Sequence, residues 1–361
     1  MANLYVTSAE TYSGKSALCI GLGIRFRHDG LKAGYMKPVN VNSLLREGVT
    51  YDDDVVFARQ VFGMPEPPTT LSPVALTPSR LDRQLRGPEA DYEQLLKGAY
   101  NRISEGRDLL VLEGGRDCHE GYVAGLPPRR VVDLLDARAL LVLKYDDTLL
   151  ADRALEAQAH FGDTLIGVVI NETPPSQIDE IREMIMPFME RHNLPLLALL
   201  PMDPALAAPT VGELAEGLHA QILAAAEHKG ELVEHMMVGA KRAETALSYF
   251  RRIPHKAVIT GGDRADIQMA ALQTSTRCLV LSGNLYPSPA VLHRANERGV
   301  PVLLTDIDSF TAAEVVGNYI GRSRFQQPQK VERFTAMLNE HLDFEALYRS
   351  LGVQPHPLTS S

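Results

Sequence analysis

The stretch Leu4-Tyr5-Val6-Thr7-Ser8-Ala9-Glu10-Thr11-Tyr12-Ser13-Gly14-Lys15-Ser16 decides the fold. A short apolar run enters a polar turn that ends on Gly-Lys-Ser, and a helical pattern over 16–28 follows. Strand, tight loop and helix start together aim backbone N–H groups at one point, which is what an anion needs. Ser13, Gly14, Lys15, Ser16 and Ala17 are the expected phosphate contacts. Lys15 would face the β- and γ-phosphates, and the Ser16 hydroxyl would face Mg²⁺. The glycine that opens such loops is absent: Ala9 stands in one register and Ser8 in the other. The competing reading is a loop that keeps only a structural role.

Outward from this loop, apolar runs of strand length recur at 33–36, 109–112, 139–143, 166–170 and 195–200. They lack polar alternation, as strands of a parallel sheet buried on both faces do. Helical patterns lie between them, at 147–160 and 176–192 among others. This is a doubly wound, mostly parallel α/β nucleotide-binding domain of the P-loop type. Pro201-Met202-Asp203-Pro204 and Pro209-Thr210-Val211-Gly212 read as turn and linker. A helix over 213–226 is expected next, and then a second, smaller α/β alternation. Its strands are expected at 233–238, 256–260, 278–281 and 300–304, and its helices near 241–250, 264–274, 288–298 and 310–319. Residues 328–351 carry Val331, Phe334, Leu338, Leu342 and Leu347 at helical spacing. That predicts a terminal helix packed on a domain, with a dimer-forming helix as the alternative. The tail 354–361 is expected to fray. The division is therefore 1–205, 206–325, and a C-terminal helix and tail over 326–361.

Composition narrows the function. The 361 residues hold 36 Lys+Arg against 45 Asp+Glu, a net charge of −9. That disfavours nucleic acid and anionic membrane as partners. No apolar run reaches the roughly 18 residues of a membrane span; Asp203 interrupts the longest candidate. The N-terminus lacks a basic region followed by an apolar one, so no secretory signal is visible. Three cysteines stand far apart with no CxxC, and the eleven histidines form no HExxH. A reducing, cytoplasmic location is the expectation.

More positions fit the phosphate site. Lys37, in Met36-Lys37-Pro38-Val39, ends a strand where open α/β sheets bind ligands. Asp52-Asp53-Asp54 precedes a helix. Carboxylates there act as caps, and Asp54 is the one expected to reach a metal. Leu109-Leu110-Val111-Leu112-Glu113-Gly114-Gly115 delivers a carboxylate at a strand end beside glycines, so Glu113 is a candidate metal ligand. Asn171 either reads an adenine edge or forms a turn before Pro174-Pro175. In the second half, Thr260-Gly261-Gly262-Asp263-Arg264 opens a helix. Gly261, Gly262, Asp263 and Arg264 are candidates for an anionic ligand; the plainer reading is a turn with Asp263 as N-cap. Ser282-Gly283-Asn284 would line the same crevice.

Taken in order, Gly14-Lys15-Ser16, Lys37-Pro38-Val39, Asp54, Glu113-Gly114-Gly115 and Asn171 resemble dethiobiotin synthetase and its P-loop relatives over about residues 1–205. The resemblance implies Mg-ATP, with Lys15 and Lys37 as catalytic groups and Ser16, Asp54 and Glu113 around the Mg²⁺. It also implies a dimer. Arg116-Asp117-Cys118-His119-Glu120 departs from the synthetase pattern. Lys256-Ala257-Val258-Ile259-Thr260-Gly261-Gly262-Asp263-Arg264-Ala265-Asp266-Ile267 looks like the DRTGG domain. The pairing is similar to the N-terminal regulatory half of long phosphotransacetylases. It implies a nucleotide-binding, metabolite-sensing protein with a partner enzyme of acyl metabolism. The alternatives are an ATP-dependent ligase or carboxylase, and a scaffold whose nucleotide site has decayed.

Overall fold

The computed structural model describes residues 1–41, 43–46, 49–87, 90–239, 243–320 and 325–355. It separates into two compact units, Met1–Met202 with Phe325–Ser361, and Asp203–Arg324.

The first unit is built on six strands: β1 (Ala2–Ser8), β2 (Ala33–Met36), β3 (Leu109–Glu113), β4 (Arg138–Lys144), β5 (Leu165–Thr173) and β6 (Leu196–Pro201). Their order is β6-β5-β4-β1-β3-β2, and every pairing is parallel. The inner strands are buried along nearly their whole length, which is why they read as unbroken apolar runs. The chain changes direction across the sheet at β1, and such a switch point opens a crevice at the strands' carboxyl ends. Register sets what meets there: Val6 lies opposite Glu113 on one side and Leu140 on the other, and Met36 lies opposite Leu112. Helices α1 (Lys15–His28), α2 (Asp53–Phe62) and α3 (Leu150–Phe161) follow or cover these strands.

The helical pattern over 176–192 resolves into short turns. A π turn at Ile181–Ile185 precedes the helical turn Met186–Arg191. Pro187 lacks an N–H and would clash in a regular helix, so the widened turn accommodates it.

In the second unit, β7 (Gln221–Ala224), β8 (His235–Val238), β9 (Lys256–Gly261), β10 (Thr276–Ser282) and β11 (Val302–Leu304) form a sheet in the order β7-β11-β10-β9-β8. β7 runs antiparallel to β11, and the other pairings are parallel. Helix α4 (Ala265–Ala271) follows β9. The long helix expected over 213–226 is instead a short one, Val211–Gly217, opened by a capping box between Thr210 and Glu213. His219 then takes a left-handed conformation, φ 47°, and the chain becomes edge strand β7. Gly217 packs under the Tyr319 ring, and Ile222 pairs with Leu303. Sheet pairing has overridden the helical preference of an alanine-rich stretch. Of the helix expected near 241–250, residues 241 and 242 lie outside the described residues, and Ala243–Phe250 is helical.

The chain then returns to the first unit as α5 (Pro328–His341) and α6 (Phe344–Leu351). One helix was expected over 328–351. It breaks at Leu342, where the Asp343 N–H donates to the Leu197 carbonyl at 2.9 Å and the Asp343 side chain caps α6. Leu338 and Phe334 sit directly over Gly21 of α1, where a Cβ would overlap Leu338 and touch the Phe334 ring. Of the tail, residues 356–361 lie outside the described residues. Among the described residues, no helix is long and apolar enough to cross a membrane.

Candidate functional site: the phosphate loop and its acidic corner

β1 ends in a loop that returns at Gly14, which holds φ 94° as the N-cap of α1. A side chain there would meet the Asn171 amide as well as the strained backbone. The loop is fastened from outside. Glu10 accepts from the Lys144 N–H at 2.8 Å and from the Arg153 guanidinium, tying it to β4 and α3. Asn171 donates to the Ser13 carbonyl at 2.9 Å. Asn171 and Lys144 are register partners, so the neighbouring strands β5 and β4 each hold the loop at one point.

Lys15 is buried, and its Nζ donates to Ser8 Oγ at 2.6 Å and to the Arg116 carbonyl at 2.7 Å. Among the described residues, no carboxylate pairs with it. Burial pulls its ammonium down, and the charges of Glu113 and Glu120 pull back only in part. The ammonium therefore rests on neutral oxygens, a position an anion would improve. Ser8 stands where the loop's first glycine was missed, and it supplies a partner for Lys15 that glycine could not.

The second cluster is acidic. Glu113 accepts from Ser16 Oγ at 2.9 Å and from the Tyr35 hydroxyl at 2.8 Å. Lys37 Nζ lies 3.0 Å from Asp52 and 3.5 Å from Glu113. Burial pulls the Lys37 ammonium down, but Glu113, Asp52 and Asp54 together outweigh it, and the group is held above the ordinary lysine range. Asp52 does two things: Oδ1 caps α2 by accepting from the Asp54 and Val55 N–H groups, and Oδ2 accepts from Lys37 and from Asn40. Burial pushes the Asp54 carboxyl up, Glu113 adds to it, and it reaches about 6 despite Lys37 and a bond from Gln326.

The structure thus gathers Ser13, Gly14, Lys15, Ser16 and Ala17 at the loop, and Lys37, Asp54 and Glu113 at the corner beside it. Ser16, Asp54 and Glu113 offer only oxygen donors, and Asp54 feels the Glu113 charge, so these residues fit a hard divalent cation. Among the described residues, no three His, Cys, Asp or Glu side chains alone could hold a metal. A cation here would rely on phosphate oxygens and water as well, as Mg²⁺ usually does. Sequence reasoning missed Ser8, Tyr35, Asn40, Asp52 and Gln326 as members of this network. Tyr35 had a signal: it stands two residues before Lys37, on the same strand face. Gln326 had none, being 272 residues away from Asp54.

In the second unit, Gly261, Gly262, Asp263 and Arg264 come together as a tight turn, with the Arg264 N–H donating to the Gly261 carbonyl at 3.1 Å. Arg264, not Asp263, occupies the N-cap of α4, and its guanidinium pairs with Asp266 at 3.1 Å. The Leu285 carbonyl passes so close over Gly262 that no side chain fits. Gln268 Nε2 donates to the Gly261 and Gly262 carbonyls at 2.8 and 3.0 Å. Ser282 lies opposite Gly261 in register.

Two family profiles match the chain: one described as AAA domain over residues 2–210, one described as DRTGG domain over residues 213–319. The first covers more than half of the sequence. The chain belongs to the AAA-domain family. Its curated relatives include the phosphate acetyltransferase of Nitrosomonas europaea, 26% identical over 374 residues, which cover 98% of this chain and 52% of that protein. The phosphate acetyltransferase of Deinococcus radiodurans is 26% identical over 363 residues, 95% of this chain and 50% of that protein. The chain spans about half the length of these relatives. Among solved structures, the chain is similar to the septum site-determining protein MinD of Pyrococcus horikoshii with Mg-ADP (17% identity, TM-score 0.32, 57% of this chain and 83% of that one). The CBS and DRTGG domains of Clostridium perfringens pyrophosphatase, complexed with diadenosine tetraphosphate, match at 21% identity and TM-score 0.29, over 38% of this chain and 69% of that one.

Proposed function

We propose that this AAA-domain protein binds a Mg-nucleotide, Mg-ATP in the first instance, as a regulatory module related to the N-terminal half of phosphate acetyltransferases. The observation that carries this reading is Lys15: buried at the end of the phosphate loop, it donates to the Ser8 hydroxyl and the Arg116 carbonyl and, among the described residues, to no carboxylate. Phosphate oxygens would replace both. Ser16, Asp54 and Glu113 would hold the Mg²⁺, which supplies charge neutralisation between phosphates. Asn171, beside the loop on β5, would face the base. The Gly261–Arg264 turn would serve the second unit's metabolite or partner enzyme, and a homo-oligomer is part of the same proposal.

The ligase reading asks more of Lys37, which would have to meet a substrate as well as phosphates. Its ammonium is already shared between Asp52 and Glu113, which supports a structural counter-charge over a free substrate contact. The experiment that separates the readings follows ADP release from Mg-ATP with diamines, amino acids and short-chain acids added in turn. Binding without substrate-dependent release is expected. Steady release stimulated by one of these substrates would make the protein a ligase.

A further inference from the structure

The chain leaves the first unit after Met202, builds the second, and re-enters the first at Phe325. The next residue, Gln326, donates from Nε2 to Asp54 Oδ1 at 3.5 Å. We propose that Gln326 is a positioning residue for the metal corner: it fixes the Asp54 carboxylate toward the cation and ties the corner to the segment that returns from the second unit. This inference rests on the Mg-nucleotide reading above.

Three observations place Gln326 with purpose. The return segment is anchored rather than loose: Phe325 stacks edge-on against Phe334 with centroids 5.3 Å apart, and Lys330, Phe334 and Leu338 of α5 are buried. α5 in turn packs on α1 through Gly21, and α1 begins with Lys15 and Ser16. So one helix fixes both the height of Gln326 and the back of the phosphate helix. Chemistry adds the third: an amide NH₂ orients a carboxylate by donating to it, yet brings no positive charge to compete with a cation. Lys37, by contrast, feels the Asp54 charge but, among the described residues, makes its ion pairs with Asp52 and Glu113. Residues 1–202 alone would lack this contact, because it arrives from beyond the second unit.

The full chain tests this, with the non-hydrolysable ATP analogue AMP-PNP as probe. Gln326→Met keeps the volume and removes the donor. Mg²⁺ titrated into the analogue complex should bind about three- to tenfold more weakly in the variant, with analogue binding in EDTA and melting temperature unchanged. In an Asp54→Asn background the same change should cost nothing further, the mark of an effect exerted through Asp54. Amide exchange over Phe325–His341 should slow when Mg²⁺ joins the wild-type complex, and not in the variant. Equal Mg²⁺ affinity in wild type and variant, equal loss in both backgrounds, or wild-type exchange indifferent to Mg²⁺ would each overturn the inference while leaving the nucleotide reading intact. Failure of the wild type to bind the analogue with or without Mg²⁺ would overturn the nucleotide reading itself, and the inference with it.

Discussion

Lys37 shows how one residue can hold a corner together. Its ammonium sits between the buried Glu113 and the half-buried Asp52, and neither has another cation at salt-bridge distance among the described residues. Removing one member of a buried pair leaves its partners charged and uncompensated, at a cost of about 3–5 kcal/mol. Lys37→Met should therefore lower the melting temperature of the first unit by a clear margin. Mg²⁺ should restore the variant more than it stabilises the wild type, because the cation supplies the missing charge. Equal Mg²⁺ effects on both proteins would mean that a cation does not take over the charge of Lys37. At this scale the sequence was legible wherever chemistry is contiguous. Gly14-Lys15-Ser16 announced itself as a helix start after a loop, and Glu113-Gly114-Gly115 as a strand end. Asp52 was readable as a cap, but its second bond to Lys37 depends on a fold that brings α2 against β2. Ser8 looked like a lost glycine, and only the geometry reveals it as the acceptor for Lys15.

Elements obey their own balance of forces. β9 opens with Lys256, which is fully buried; its Nζ reaches the Thr274 hydroxyl at 3.0 Å and the Ser275 carbonyl at 3.2 Å. Burial pulls its ammonium from 10.5 down to about 8. Between those two values the unfolded chain binds more protons than the folded one, so the stability linked to this group rises with pH there. Below about 8 both states are charged, and burying the charge opposes folding in full. Lys256→Met should accordingly raise the melting temperature of the second unit at pH 7, and the gain should shrink between pH 8 and 10.5. A difference that stays flat or grows over that range would show that burial does not lower the Lys256 ammonium in the fold. The strands themselves were legible from uninterrupted apolar runs. The helix expected over 213–226 was not, because local preference cannot see that Ile222 has Leu303 to pair with. The break at Leu342 was hidden likewise: it exists because Asp343 can join β6 at Leu197.

Over the whole molecule, the order of motifs along the chain carried both α/β units and the family resemblance. What it could not carry is that the last helices belong to the first unit, since that rests on the fit of Leu338 and Phe334 over Gly21. The central claim is that a nucleotide's phosphates replace the Ser8 and Arg116 oxygens around Lys15. Calorimetric titration of Mg-ATP into the full chain and into Lys15→Ala tests it most directly. Saturable binding in the wild type, weakened by at least about tenfold in Lys15→Ala, is the result the account predicts. Equal binding by both proteins, or none by the wild type, would contradict it.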